Sequence, residues 1–341
     1  MDGVPPAGGS ERLLFICLQG LGNLILAEPA VRAARERHPG AAITVLVRRR
    51  AYLPLVARFP ARVEAALLEP ATVARLAARR FHVSYTCFPA NDARFDLVTR
   101  LLGARERVGH RYPLRKRLRL PGTYTREVAV APVDDVRQNL ALVGEGLAAT
   151  APRLRVEPAP GPAPLLGIHP GSSTARRMGL KRWPAGHFRA LVGRALEEVA
   201  GLTVWLFAGP GEEELAAGIA AGLGPRVEVI AGHPLVEVAE LLAACTCVVA
   251  NDSGLMHLAA AVGTPTVGLF GPTDPARTAP AGGLALQAPG VACAPCWPLL
   301  DVGRRPPCPH EERLCLVRLT PDQVWAAVAP RLVPHPAAAV A

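Results

Sequence analysis

The feature that most constrains this chain is a short apolar run followed by a glycine- or proline-bearing turn and then a helical segment, repeated in series through its second half. Leu165–His169, Leu202–Ala208, Val227–Ile230, Cys247–Ala250 and Thr266–Phe270 read as strands. Pro184–Val199, Glu212–Leu223, Leu235–Ala244 and Ser253–Val262 read as the helices between them. A strand covered on both faces shows a continuous apolar run, and a helical crossover makes successive strands parallel. The first half repeats the pattern more weakly. Its strands are Leu13–Leu18, Ala42–Val47 and His82–Phe88, and its helices are Leu24–His38, Ala71–Arg79, Phe95–Leu102 and Val136–Ala149. Between the halves, Val156–Pro164 (VEPAPGPAP) has no periodicity and reads as a linker. A chain of 341 residues also exceeds what one core usually covers. The expectation is an α/β protein of two doubly wound domains, residues 1–160 and 161–341, facing each other across a cleft.

Charge narrows the partners. Lys and Arg number 38 against 28 Asp and Glu, a net charge of +10, and most of the cations are arginine. The arginine fork suits phosphate and carboxylate, so an anionic ligand or surface accounts for the balance; so does a compositional preference for arginine over lysine. No run approaches the roughly 20 apolar residues needed to span a bilayer. The apolar stretch behind Ser10 is short and lacks a cationic lead, so a cytoplasmic protein is expected. Its 8 cysteines then read as reduced thiols or metal ligands rather than disulfides.

Four loops at strand ends carry candidate chemistry. Gln19-Gly20-Leu21-Gly22-Asn23 has two glycines of a dinucleotide fingerprint, but Ile25 takes the third position and Arg48-Arg49-Arg50 stands where an acid should. Nicotinamide binding is therefore not expected. His169-Pro170-Gly171-Ser172-Ser173-Thr174, followed by Lys181-Arg182-Trp183-Pro184, offers hydroxyls, backbone N–H groups and a point charge to phosphate oxygens. The bland reading is a capped loop. In Asn251-Asp252-Ser253-Gly254-Leu255-Met256-His257 a strand ends and an Ala-rich helix opens, which makes an anion site from free N–H groups and the helix dipole. Its alternative is Asp252 as an N-cap and His257 as a core imidazole. Gly209-Pro210-Gly211-Glu212-Glu213-Glu214 offers a carboxylate to ribose hydroxyls, or simply three acids complementing a helix dipole.

Together these stretches, HPGSS…KRWP (169–184), FAGPGEEE (207–214) and NDSGLMHLAAAVGTPTVGLFGPTDP (251–275), resemble the family 9 glycosyltransferases, the lipopolysaccharide heptosyltransferases and their relatives. LQGLGNLILAEPAVRAARERHPGA is similar to the family's first βαβ unit. The resemblance implies a GT-B fold of two facing Rossmann-like domains, with a nucleotide-diphospho-sugar, ADP-heptose, on the C-terminal one. It also implies a phosphorylated glycolipid or glycan acceptor on the N-terminal one, inversion at the anomeric carbon, and no metal in catalysis. By carry-over, Ser172, Ser173, Lys181, Ser253, Gly254 and His257 hold the diphosphate. Asp252 organises the loop, and a glutamate near Glu212–Glu214, with Glu212 as the candidate, meets the ribose. The family shows Gly-Asp where this chain has Gly22-Asn23, and that aspartate is its general base. An asparagine amide does not take up a proton at neutral pH. Glu28, Asp92 and His110 are the substitutes the acceptor half offers.

The missing base opens a second reading, a silent homologue that binds nucleotide sugar or glycolipid; a third is another GT-B enzyme such as a nucleotide-sugar epimerase. The basic run Arg105–Arg119 suits an anionic acceptor and the cytoplasmic face of the inner membrane, or is a solvated loop. Nothing in it supports nucleic-acid recognition. Finally, Cys293, Cys296, Cys308 and Cys315, with His310 nearby, have metal-ligand spacing in a loop spanning 293–315. Structural zinc or an iron–sulfur cluster would tie that loop down; four packed thiols are the alternative. Cys17, Cys87, Cys245 and Cys247 read as core.

Overall fold

A computed structural model describes residues 11–113, 120–173, 175–297 and 306–332. The chain divides into two compact units. Of the described residues, one comprises those within 1–19, 27–130 and 136–149, and the other those within 20–26, 131–135 and 150–341.

The first unit holds a parallel sheet of β1 (Arg12–Cys17), β2 (Ala42–Val47), β3 (Glu64–Leu67), β4 (Val83–Thr86), β5 (Glu106–Arg111) and β6 (Arg126–Ala129), in the order β3-β2-β1-β4-β5-β6. The helices of this part of the sequence are α1 (Leu21–Arg37), α2 (Leu53–Val56), α3 (Pro70–Ala78), α4 (Ala93–Leu102) and α5 (Asp135–Val143). β1 is buried at five of its six positions, which is why it reads so clearly as an apolar run. The strands that the sequence pattern passed over are β3, β5 and β6. EAAL, ERVGHR and REVA carry charges, and β6 at the sheet edge buries none of its residues fully. An edge strand needs no apolar run to pair its backbone.

The second unit repeats the plan with β7 (Leu165–His169), β8 (Thr203–Ala208), β9 (Val227–Ala231), β10 (Cys247–Asn251), β11 (Thr266–Phe270) and β12 (Leu284–Gln287), ordered β12-β11-β10-β7-β8-β9. Its helices are α6 (Ala185–Glu198), α7 (Glu213–Ala220), α8 (Leu235–Ala244), α9 (Gly254–Ala261), α10 (Pro275–Thr278), α11 (Leu314–Val317) and α12 (Pro321–Leu332). β7, β10 and β11 are buried at every position. Trp183, Phe188, Leu191 and Leu316 pack with Trp325 and Val328 in the core of this unit.

Strand order reverses between β7 and β10, which are hydrogen-bonded neighbours although β8 and β9 lie between them in sequence. In doubly wound sheets such a switch point opens a crevice beyond the carboxyl ends of the strands. The loops after β7, β8 and β10 all leave from that end.

Two local expectations change. α1 begins at Leu21, so Gly22 and Asn23 lie in its first turn rather than in a turn ahead of it. Asp252 is not the N-cap of α9: Ser253 holds that place, in extended backbone, and its side chain accepts from Met256 N–H.

Candidate active site

The strand-end loops of the second unit are stitched together by buried polar side chains. Asn251, the last residue of β10, donates through Nδ2 to Pro170 O (2.7 Å) and accepts Trp183 N–H at Oδ1 (2.9 Å). It thereby fixes both ends of the 170–183 segment against β10. Trp183 Nε1 donates to Leu319 O at 2.7 Å, anchoring that segment in the core. Within it, Ser172 Oγ donates to Met178 O, and Arg182 donates to Ser172 O. Ser172 is buried, whereas Ser173 is exposed.

Lys181 Nζ donates to Asp252 Oδ2 at 3.0 Å, and both side chains are buried. Burial opposes the charge of Asp252, but Lys181 and His257 more than offset it, and the carboxyl is held below its usual range. His257 is also buried; desolvation outweighs the attraction of Asp252 and pushes its pKa down to about 4. It is a neutral imidazole at physiological pH.

Glu212 is the second hub. Its Oε2 accepts from His169 Nε2 and from Gly209 N–H, each at 3.0 Å, and its Oε1 accepts from Arg182 at 3.0 Å. Burial raises its pKa, yet His169, the Gly209 N–H and Arg182 bring it down to about 2. A β-carbon on Gly171 would collide with this carboxylate, so glycine is required where backbone meets it. Glu213 and Glu214, by contrast, are the first-turn acids of α7.

Residues 20–26 belong to the same unit, and the first turn of α1 lies against the first turn of α9. A β-carbon on Gly22 would stand 2.7 Å from His257 Cδ2, and one on Gly254 would stand 2.9 Å from Leu21 Cβ. Two glycines thus let two helix N-termini approach, and the free N–H groups of a first turn attract anions. Beside them, Asn23 Nδ2 donates to Asp135 Oδ2 at 3.5 Å, while Arg277 grips Asp135 with two bonds of 2.6 and 3.1 Å. Asp135 is fully buried; desolvation raises its pKa although Arg277 opposes this.

The structure therefore brings together Ser172, Lys181, Glu212, Asp252, Ser253, Gly254, His257 and Asn23 at one end of one unit. It gives parts to His169, Arg182 and Asn251, which those motifs contain, and adds Asp135 and Arg277, which lie outside them.

The substitute bases lie in the first unit and are otherwise employed. Glu28 is gripped by Arg32, Asp92 caps α4 and pairs with Arg94, and buried His110 bonds Gln138 O through Nε2. Burial drives His110 down to a pKa of about 4, and its Nδ1 is without a partner. His110 lines a cavity of about 400 Å³ with Arg111, Tyr112, Thr123, Tyr124 and Glu127. Of the basic run, residues 114–119 lie outside the described residues, and Arg107 is spent on Thr123 O and Ala104 O.

The four loop cysteines interact electrostatically: Cys315 is raised to about 11 by burial and by Cys296, Cys293 and Cys308. Among the described residues no group of three or more His, Cys, Asp or Glu is disposed to hold a metal ion. Cys17, Cys87, Cys245 and Cys247 are free and buried.

The model of glycosyltransferase family 9 (heptosyltransferase) matches residues 126–296, half of the chain, including β7 to β12 and every strand-end loop described above in the second unit. The chain belongs to glycosyltransferase family 9. Lipooligosaccharide heptosyltransferase 2 of Haemophilus influenzae is 38% identical over 125 residues, covering 35% of this chain and 35% of that protein. The chain thus spans about a third of the length of that curated relative. Two solved structures extend the likeness in fold to nearly the whole chain. ADP-heptose lipopolysaccharide heptosyltransferase II of Escherichia coli has a TM-score of 0.75 at 24% identity, covering 94% of this chain and 98% of that one. The Escherichia coli heptosyltransferase WaaC with ADP has a TM-score of 0.71 at 21% identity, covering 94% and 99%. The fold of this family 9 glycosyltransferase is accordingly GT-B, with one parallel six-stranded sheet in each unit.

Proposed function

We propose that this chain transfers a heptosyl group, with inversion, from ADP-heptose to a phosphorylated glycolipid or core-glycan acceptor of lipopolysaccharide. The observation that carries the reading is the convergence of the loops after β7, β8 and β10 on the first turn of α9, with Lys181 among them. Ser172, Ser173, Lys181, Ser253, Gly254 and His257 are the proposed diphosphate contacts. Glu212 is engaged inside the loop cluster, so its proposed contact with the ribose is made from a carboxylate already held in place.

The chemistry follows from charge. As the acceptor hydroxyl attacks the anomeric carbon, the bond to the diphosphate breaks and negative charge grows on its oxygens. Fixed N–H dipoles at the α9 terminus and the Lys181–Asp252 pair stabilise that charge without having to reorganise. His257, neutral, serves as a hydrogen-bonding group rather than a cation.

The acceptor is proposed to bind on the N-terminal domain, residues 1–160, and the donor on residues 161–341. Among the described residues no helix is long and apolar enough to cross a membrane. We place the enzyme in the cytoplasm, working at the inner face of the inner membrane where such an acceptor resides. The cysteine loop takes no part in the step. A structural zinc or iron–sulfur centre held by Cys293, Cys296, Cys308 and Cys315 is a separate expectation, and metal analysis of the purified protein tests it.

Asn23 favours a second reading, a homologue that binds the sugar nucleotide without transferring it. Incubation with ADP-heptose and a heptose-deficient lipopolysaccharide acceptor decides between them. Release of ADP coupled to a heptosylated product is expected; ADP-heptose binding with neither transfer nor hydrolysis would instead support the silent homologue.

A further inference from the structure

Among the described residues four large apolar side chains are exposed, and three of them gather in the first unit: Leu97 (52%), Leu101 (54%) and Leu120 (36%). The periodicity of α4 places the first two. Phe95, Val98 and Leu102 pack into the core beneath the helix, while Leu97 and Leu101, four residues apart, fall together on its outer side. Leu120 is brought to the same helix from the segment before β6. Its N–H donates to Asp96 Oδ2 at 2.8 Å, and Arg100 donates to Pro121 O and to Thr123 Oγ1. A single exposed leucine is ordinary, but three gathered at one helix mark a contact surface.

The charge around them has one sign. Arg94, Arg100 and Arg105 are exposed beside the leucines, whereas the one acid of α4, Asp96, is buried and turned to Leu120 N–H. Arg94 is paired with Asp92 ahead of the helix, but the bonds of Arg100 go to neutral oxygens. Between Pro113 and Leu120 the sequence adds four cations and no acid. A second copy of the chain docked face to face would set these arginines against one another, because such a contact apposes the same patch on both partners. An anionic lipid surface meets them with opposite charge, and its acyl layer takes up the leucines.

We propose that the outer face of α4, together with Leu120, docks the protein on an anionic phospholipid bilayer, with the arginines at the headgroup phosphates. This rests on the reading above, in which the acceptor is a membrane glycolipid, and names the surface that meets the membrane. α4 starts beyond the carboxyl end of β4, which pairs with β1, so docking carries to the bilayer the edge of the first sheet from which the loop after β1 leaves.

Lipid vesicles separate this surface from the transfer reaction. The full chain is sedimented with vesicles of phosphatidylglycerol and phosphatidylcholine, or of phosphatidylcholine alone, neither of which carries a sugar acceptor. The wild type is expected to sediment with the anionic vesicles, to leave them at about 0.5 M salt, and to stay in solution with the neutral ones. Leu97→Gln combined with Leu101→Gln should weaken binding by about tenfold or more at an unchanged melting temperature, since both side chains already meet water. If that variant melts early, Arg105→Gln carries the test, with binding weakened by about fivefold. No binding, equal binding by wild type and variants, or no preference for anionic vesicles overturns the proposal. So does a concentration-dependent dimer abolished by the leucine substitutions, which would make a second copy the occupant. Those results leave heptosyl transfer to a detergent-solubilised acceptor untouched. Absence of that transfer with vesicle binding intact overturns the functional reading and not this surface.

Discussion

Lys181 Nζ stands 3.0 Å from Asp252 Oδ2, with both side chains almost wholly withdrawn from water. A buried pair of this kind contributes little net stability, but removing one partner strands the other. Lys181→Ala is expected to destabilise the chain by about 3–5 kcal/mol, a large share of a domain's usual reserve. Adding Asp252→Asn should recover part of that loss, because no buried charge is then left over. Urea denaturation of the single and double variants checks this; an unchanged midpoint for Lys181→Ala contradicts the pairing.

Gly171 offers a sharper test of the loop cluster. An added methyl falls on the Glu212 carboxylate, which His169, Gly209 N–H and Arg182 hold from other sides. Gly171→Ala should weaken ADP binding by about five- to 150-fold, the equivalent of the roughly 1–3 kcal/mol cost of a disrupted buried network. Gly186, near the start of α6, has open space around its β-position. Gly186→Ala should leave binding unchanged and stabilise by about 0.4–1 kcal/mol. Equal binding by the two variants would show that the Glu212 cradle is not part of the site.

Acid sensitivity should begin well above the carboxylate range. His110 and His257 are each held down to a pKa of about 4, chiefly by burial, against an ordinary 6.5. A depressed folded-state pKa means the unfolded chain binds the proton first. Stability is full above about 6.5 and is lost as pH falls toward 4. Each histidine contributes a slope of at most about 1.4 kcal/mol per pH unit in that window. Thermal melts at pH 7.5, 6 and 5 should show this fall, and His257→Gln should reduce its steepness. A flat profile across that range contradicts the burial of both rings.

Asn23 and Asp135 predict the consequence of restoring an acid. Asn23→Asp sets a second carboxylate against one that burial already inclines to hold its proton. Like charges this close share a proton, so one of the pair stays protonated to higher pH. The variant should lose stability at neutral pH and regain some of it on mild acidification, when the shared proton relieves the repulsion. If position 23 supplies the base, kcat should also rise. Urea midpoints at two pH values, with kcat measured alongside, test this. Neither a stability change nor a gain in kcat would detach Asn23 from Asp135 and from the reaction.

Much of the second unit is legible in the sequence because its strands are buried on both faces. LLGIH, CVVAN and TVGLF stand out as apolar runs, and the glycines and caps between them mark where loops begin. What local pattern does not carry is pairing. His169 meets Glu212 across 43 residues, Lys181 meets Asp252 across 71, and Asn23 meets Asp135 across 112. Those partners are set by strand order, and β8 and β9 must be placed before β7 and β10 become neighbours. The same limit hid His169, whose position at the end of an apolar strand looks like any buried polar residue until its two ring nitrogens are seen to bridge separate loops. Gly22 falls in the first turn of α1 although glycine is a weak helix former. The ring of His257 supplies the reason for a glycine there, and that ring is far away in sequence.

The most direct measurement is a crystal structure of the chain grown with ADP. The expected result places the diphosphate against the backbone N–H groups of Gly254 and Leu255, with Ser253 Oγ and Lys181 in contact and Glu212 beside the ribose. Nucleotide bound away from the carboxyl ends of β7, β8 and β10, with the first turn of α9 left to solvent, would contradict it.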